Sequence, residues 1–157
     1  MSEVADTDEV LVGVDGSAQS VLALQWAASL AESLDCALHV ITIWDLPVFI
    51  GDAGAYVPDN WDPEGNARRA VEAAVDDVFT DGRPTGLRVS VCRGNAARTL
   101  IDASGSARML VLGSRGHGGF AGLLLGSVSA NCAERAHCPV LVVHGDTPPP
   151  TQRRGEQ

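Results

Sequence analysis

Lysine is absent from the 157 residues, and all eleven basic side chains are arginine. A Walker A loop places a lysine on the phosphates, a pyridoxal enzyme forms its Schiff base through one, and a protein kinase carries one on its third strand. All three classes are excluded. Basic charge of any kind is scarce. Eleven arginines against twenty acidic residues leave a net charge of −9, a field that repels phosphate backbones and anionic headgroups, so neither nucleic acid nor a membrane surface is an expected partner. The four cysteines, Cys36, Cys92, Cys132 and Cys138, contain no Cys-x-x-Cys pair, and the acidic start of the chain lacks the basic and apolar regions of a secretory signal. Those features predict reduced, mostly buried thiols in a cytoplasmic protein. No run reaches the ~18 apolar residues of a membrane span.

What is present suits a single globular domain: 45% of the residues are apolar and 20% charged, enough to bury a core at this length. Val10 to Val14 reads as a first strand that stops at Asp15-Gly16-Ser17, a turn followed by an N-cap. A helix follows, with Ala23, Ala27, Leu30 and Leu34 near helical spacing and Leu24 and Ala31 widening the stripe. Ala37 to Trp44 is apolar on both alternating sets, as a strand covered on two faces should be. From Asp45 to Asp62 the pattern dissolves into a long loop whose Phe49, Tyr56 and Trp61 offer apolar area for a lid or a partner contact. A helix is expected from Pro63 to about Thr80, packed through Val71, Val75 and Val78. A short strand, Leu87 to Cys92, leads to a Gly94-Asn95 turn and a helix that carries Leu100 and Ile101 and ends at Gly105. Met109 to Leu112 forms a fourth strand, a glycine-rich stretch runs from Gly113 to Gly126, a helix spans Ser127 to Ala136, and Pro139 to Val143 is a fifth strand. Residues 1–8 read as a flexible N-terminus, residues 9–144 as one domain, and residues 145–157, with three consecutive prolines, as a disordered tail.

Strands alternating with helices indicate an α/β fold: an open five-stranded parallel sheet, strand order 3-2-1-4-5, with helices on both faces. In such a sheet the ligand crevice opens at the carboxyl ends of the strands where the order reverses, here between the first and fourth, which end at Asp15 and Gly113. At that place Gly113-Ser114-Arg115-Gly116 is followed, nine residues later, by Gly126-Ser127. Glycine lets backbone N–H groups approach an anion, and the helix starting near Ser127 adds unpaired N–H groups and the positive end of its dipole. A phosphate fits this description, with hydroxyls from Ser127 and Ser129 and the Arg115 guanidinium as further donors. Gly116 and Gly126 are expected to need positive φ.

The pattern G-x-x-G-x(9)-G-S, after a fourth strand and before a helix that runs into Cys138-Pro139-Val140-Leu141-Val142-Val143, resembles the ATP-binding branch of the universal stress protein family. Val12-Gly13-Val14-Asp15-Gly16-Ser17 resembles that family's opening strand and turn, and Gly94-Asn95-Ala96 its third turn. His39-Val40 falls where its second strand ends near the adenine. The resemblance covers residues 9 to 144 and implies an adenine nucleotide alpha hydrolase-like sheet that binds ATP with Mg²⁺. It also implies a role for each residue. Gly13 would line the cleft floor, Asp15 would face the ribose or metal-phosphate region, and Val40 would offer backbone hydrogen bonds to the adenine. Leu112 and Gly113 would bracket the ribose, while Arg115, Gly116, Gly126, Ser127, Val128 and Ser129 would surround the phosphates. A homodimer paired through the fifth strand, a regulatory protein partner and a role in stress response or growth arrest are implied as well.

Other motifs fail on specific residues. Gly116-x-Gly118-x-x-Ala121 imitates a dinucleotide fingerprint but follows the fourth strand instead of the first. His117-Gly118-Gly119 resembles an esterase oxyanion turn, yet the chain has no G-x-S-x-G elbow. His137, Cys138 and Cys132 lack a second ligand pair for zinc, and His39 reads as a packed histidine of a central strand. Besides Asp15 and His117 no group stands out as a base, so the expected activity is binding with at most slow hydrolysis. The alternatives are a slow ATPase of the same fold and a dimeric interaction protein that binds AMP or a cyclic nucleotide.

Overall fold

The computed structural model describes residues 8–46, 49–52, 54–56, 58–116 and 125–150. Strand β1 (Glu9–Gly13) leads through Asp15-Gly16-Ser17 into helix α1 (Ala18–Leu34). Ser17 is the N-cap, accepting from Ser20 N at 3.3 Å, and Gly16 takes φ +85°, which a side chain would strain. Strand β2 (Ala37–Trp44) follows after a left-handed Asp35. Within the stretch expected to be loop, β3 (Phe49–Gly51) and β4 (Gly54–Tyr56) form a short antiparallel hairpin. Its Tyr56 stands 56% exposed. Helix α2 (Pro63–Val78) starts with Pro63 in its first turn and Asp62 as N-cap, accepting from Gly65 N at 2.9 Å. Strand β5 (Arg88–Arg93), helix α3 (Ala96–Ser104, capped by Asn95), strand β6 (Met109–Gly113), helix α4 (Ser127–Arg135) and strand β7 (Val140–Val143) complete the fold.

Five strands form one parallel sheet in the order β5-β2-β1-β6-β7. Counting only these strands along the chain, the order is 3-2-1-4-5, as expected; the numbering differs because the hairpin intervenes. Helices cover both faces. Val10, Val12, Val40 and Val111 point to one side and pack under Ala23 and Ala27 of α1 and Val71 and Val75 of α2. Leu11, Ile41, Leu110 and Leu112 point to the other, under Leu100 of α3 and Cys132 of α4. The alternation of a pleated strand thus feeds two separate cores. The absence of a side chain at Gly113 of β6 lets α1 lie close: a Cβ there would stand 3.0 Å from the backbone of Gln19. Leu34, expected on the packed stripe, is 39% exposed because it falls in the helix's last turn beyond the sheet. The tail was expected to lack structure from Gly145. Its described part, Gly145–Pro150, runs back along α1 and receives hydrogen bonds from Gln19 and Trp26.

At the amino end of the sheet, Arg88 Nη2 donates to Glu9 Oε1 (2.8 Å) and to His39 Nδ1 (2.9 Å), and His39 Nε2 lies 2.7 Å from Ser90 Oγ. His39 Nδ1 also lies 3.2 Å from Glu9 Oε1, so the ring is held between Glu9 and Arg88 on one side and Ser90 on the other. Burial, the largest influence, pushes the His39 pKa below its ordinary 6.5 even though Glu9 pulls it up, while Arg88 adds to the lowering. A histidine with a lowered folded pKa contributes stability that is present above its ordinary value and lost as pH falls through it, because the unfolded chain takes up the proton first. The midpoint of denaturant unfolding should therefore fall between pH 7.5 and pH 5.5, and fall less in His39→Gln.

Candidate functional site

A cavity of about 520 Å³ opens at the carboxyl ends of β1 and β6, where the sheet order reverses. Its floor is apolar, made by Gly13, Ile41, Ile43, Leu100 and Leu112; the other end is polar, made by Asp15, Arg115, Gly116 and the first turn of α4. Helix α4 begins at Gly126, whose N-cap position carries no side-chain hydrogen bond. The first-turn N–H groups of Ser127, Val128 and Ser129 therefore have no intrahelical acceptor and present partial positive charge to the cavity.

This polar end is held from below by Ser114. Its carbonyl accepts from Gly126 N at 2.7 Å and from Ser129 Oγ at 3.0 Å, and its own N–H donates to Val143 O of β7. Ser129, anticipated as a hydroxyl donor to phosphate, is 3% exposed and turns that hydroxyl inward to Ser114 O and Gly126 O. What it offers the cavity is its backbone N–H. Asp15 Oδ1 accepts from Ser17 N (2.9 Å) and Ser17 Oγ (2.5 Å), so the carboxylate also organises the start of α1. Its Oδ2 lies so near Gly116 that a Cβ there would come within 2.4 Å of it. Gly116 is needed for this close approach. Neither Gly116 nor Gly126 has positive φ, contrary to expectation: Gly126 sits at φ −71°, and a Cβ on it would meet neighbours no closer than 3.6 Å.

Ten of the eleven anticipated residues line the cavity, and Val40 does not. Gly13 pairs in register with Ile41, and Val12 with Val40. Since alternate residues face opposite sides, Val40 is turned into the core under α1 and α2, where it is 0% exposed. Its backbone lies inside the ladders to β1 and β5, and His39-Val40 stands in the first half of β2 instead of at its end. The β2 residues at the cavity are Ile41 and Ile43. Ala96 joins them from the Gly94-Asn95-Ala96 turn, and Leu100 from the helix beyond it. Val40 and Ile41 are adjacent apolar residues whose composition does not mark which one faces the cavity; the register of β2 against β1 decides it. His117, Gly118, Gly119 and Gly122 lie outside the described residues.

Cysteine chemistry plays no part here. Burial, and then Cys138, push the Cys132 thiol up to about 11, and burial raises Cys138 as well, so neither is a ready thiolate. Among the described residues no group of three or more His, Cys, Asp or Glu is arranged to hold a metal, and no helix is long and apolar enough to cross a membrane.

Comparison with known proteins bears on this geometry. Residues 7–144 match the model of the universal stress protein family. A universal stress protein of Mycolicibacterium smegmatis is 40% identical over 141 residues, which cover 87% of this chain and 48% of that one. The chain spans about half the length of the curated relatives it matches. Among solved structures, the universal stress protein UspA from Lactobacillus plantarum has a TM-score of 0.70 at 21% identity, covering 89% of this chain and 99% of that one. A universal stress protein in complex with cAMP has a TM-score of 0.66 at 26% identity, with coverages of 88% and 98%.

The inward hydroxyl of Ser129 gives a direct test of how the polar end is built. Ser129→Ala removes one buried donor while Ser114 O and Gly126 O each keep a backbone partner, so unfolding should be destabilised by about 1 kcal/mol, measured by urea titration.

Proposed function

The chain belongs to the universal stress protein family, and from that premise we propose that it binds ATP in the cavity between β1 and β6 as a nucleotide-dependent regulatory module. The observation that carries this reading is the pairing of an apolar floor with an uncapped helix N-terminus in one cavity of about 520 Å³. Adenine and ribose suit the apolar end over Ile41, Ile43 and Leu100. The phosphates suit the N–H groups of Ser127, Val128 and Ser129, with the Arg115 guanidinium beside them. Gly13, Leu112 and Gly113 line the floor beneath the sugar. Asp15 is the acidic side chain nearest the phosphate end, and a Mg²⁺ there would be held mainly by the phosphates and their waters, with this one carboxylate in reach.

Occupancy, in this reading, changes how the protein meets a regulatory partner under stress or growth arrest. Hydrolysis, in this reading, is slow at most, because the Asp15 carboxylate is engaged by the N–H and hydroxyl of Ser17 at the start of α1. None of the four cysteines is disulfide-bonded, which suits a reducing compartment, and a cytoplasmic setting is part of the proposal. The cAMP found in a 26%-identical relative supports a second reading, a cyclic nucleotide in the same cavity.

Calorimetry with ATP, AMP and cAMP separates these readings. ATP should bind with micromolar affinity, and Gly116→Val should weaken it at least tenfold, because the added Cβ pushes the Asp15 carboxylate toward the phosphates. Gly126→Ala, whose Cβ meets only ordinary contacts, should be far milder. Binding of cAMP alone would favour the second reading, and binding of none would remove both.

Assembly is proposed through β7. Among the described residues that strand pairs only with β6, and its outer edge is unpaired, a row of N–H and C=O groups that a second copy can pair with about a two-fold axis. Sedimentation velocity should show a dimer at micromolar concentration, weakened in Val142→Arg with the far-ultraviolet circular dichroism unchanged. A monomeric parent protein would refute the dimer.

A further inference from the structure

Both polar atoms of the Gln19 side chain are engaged, and they join two different parts of the molecule. Oε1 accepts from Ser114 Oγ at 2.8 Å, and Nε2 donates to Gly145 O at 2.7 Å. Ser114 is the residue on which the polar end of the cavity rests, through its carbonyl contacts to Gly126 N and Ser129 Oγ. Gly145, at φ +68°, turns the chain out of β7 and back over α1. There Trp26 Nε1 donates to Thr147 O at 2.9 Å, and Pro148, Pro149 and Pro150 form, with Gln25 and Ser29 of α1 and the end of α2, the walls of one groove.

We propose that the segment Gly145–Pro150 is a strap through which the state of the nucleotide site is displayed on the α1 surface, with Gln19 as the positioning residue that couples the two. The proposal rests on the ATP reading above. A primary amide whose oxygen and nitrogen are both committed cannot turn without losing both bonds, and the absence of a side chain at Gly113 lets β6 pack against the Gln19 backbone as well. Phosphates held by the first turn of α4 and by Arg115 fix the loop that carries Ser114. That loop in turn fixes the Gln19 amide and the carbonyl of Gly145. Each group ordered by the nucleotide is one that the strap need not order for itself, so occupancy favours docking, and docking raises affinity by the same factor. Three consecutive prolines lose little backbone freedom when the strap lies down, so a modest bias is enough to move it.

The Trp26 indole N–H reports the strap directly. In ¹H–¹⁵N spectra its signal is identified by its loss in Trp26→Phe, and saturating ATP with Mg²⁺ should slow its exchange with solvent at least fivefold. In Gln19→Leu that response should disappear. Trp26→Phe, which cuts the strap contact far from the phosphates, should weaken ATP about fivefold by calorimetry, the low end of coupling between sites. In the double variant Gln19→Leu/Trp26→Phe, the Trp26 substitution should cost nothing further, a result that two independent structural defects would not give. Failure of the unmodified protein to bind ATP would overturn the nucleotide reading and the strap with it. ATP binding with unchanged indole exchange, or additive losses in the double variant, would overturn the strap alone.

Discussion

Ser114 is the point on which the cavity, the sheet and one helix converge, and its polar atoms are all committed. Its N–H closes the ladder to Val143, its hydroxyl donates to Gln19 of α1, and its carbonyl holds both Gly126 N and the Ser129 hydroxyl. The residue is 5% exposed, so none of these bonds can be exchanged for water without cost. The consequence is geometric. The start of α4, the end of β6 and the exit of β7 are fixed to one another by a single residue, and the N–H groups of the first turn of α4 point where they do because Ser114 anchors Gly126 beneath them. An anion site made from backbone groups needs this kind of support, since it has no long side chains with which to adjust.

For a chain of net charge −9, the proposed anion site poses an apparent electrostatic conflict, and distance resolves it. At physiological salt, charges more than about 8 Å apart across solvent are largely screened, whereas N–H groups and a guanidinium in direct contact act at full strength. The acidic excess therefore affects long-range encounters, disfavouring polyanions that must approach over a broad surface. It has little influence on a small ligand already inside the cavity. The opposite end of the sheet shows another use of charge: Glu9, Arg88 and His39 satisfy one another at the amino ends of the strands. The proposed binding cavity and this ion-paired cluster thus lie at opposite ends of one parallel sheet, as the direction of its strands and helix dipoles favours.

Much of this architecture was legible in the sequence because it rests on local chemistry. The alternation of apolar strands with amphipathic helices, the caps at Ser17 and Asn95, Pro63 in the first turn of its helix, and the glycine pattern from Gly113 to Gly126 each mark a boundary through the conformational needs of the residues present. The strand order, and with it the switch point between β1 and β6, followed from general rules of parallel α/β sheets. The short hairpin within the long connection escaped notice because three-residue strands carry too little periodicity to read.

What escaped the sequence was orientation. Val40 and Ile41 are adjacent apolar residues of one strand, and only the register of β2 against β1 turns Ile41 to the cavity and Val40 to the core. Ser129 has the composition of a phosphate ligand, but packing turns its hydroxyl toward Ser114. Gly116 is marked in the sequence as glycine, while the reason for it, the Asp15 carboxylate beside it, appears only once two loops distant in the chain meet. The prolines after Gly145 looked like a loose end until Trp26 and Gln19 were found holding their approach. Composition and local pattern thus determined which elements form and where the cavity must open. Tertiary contact decided which face each residue presents, because a strand's period of two makes every side-chain direction depend on a register set by its neighbours.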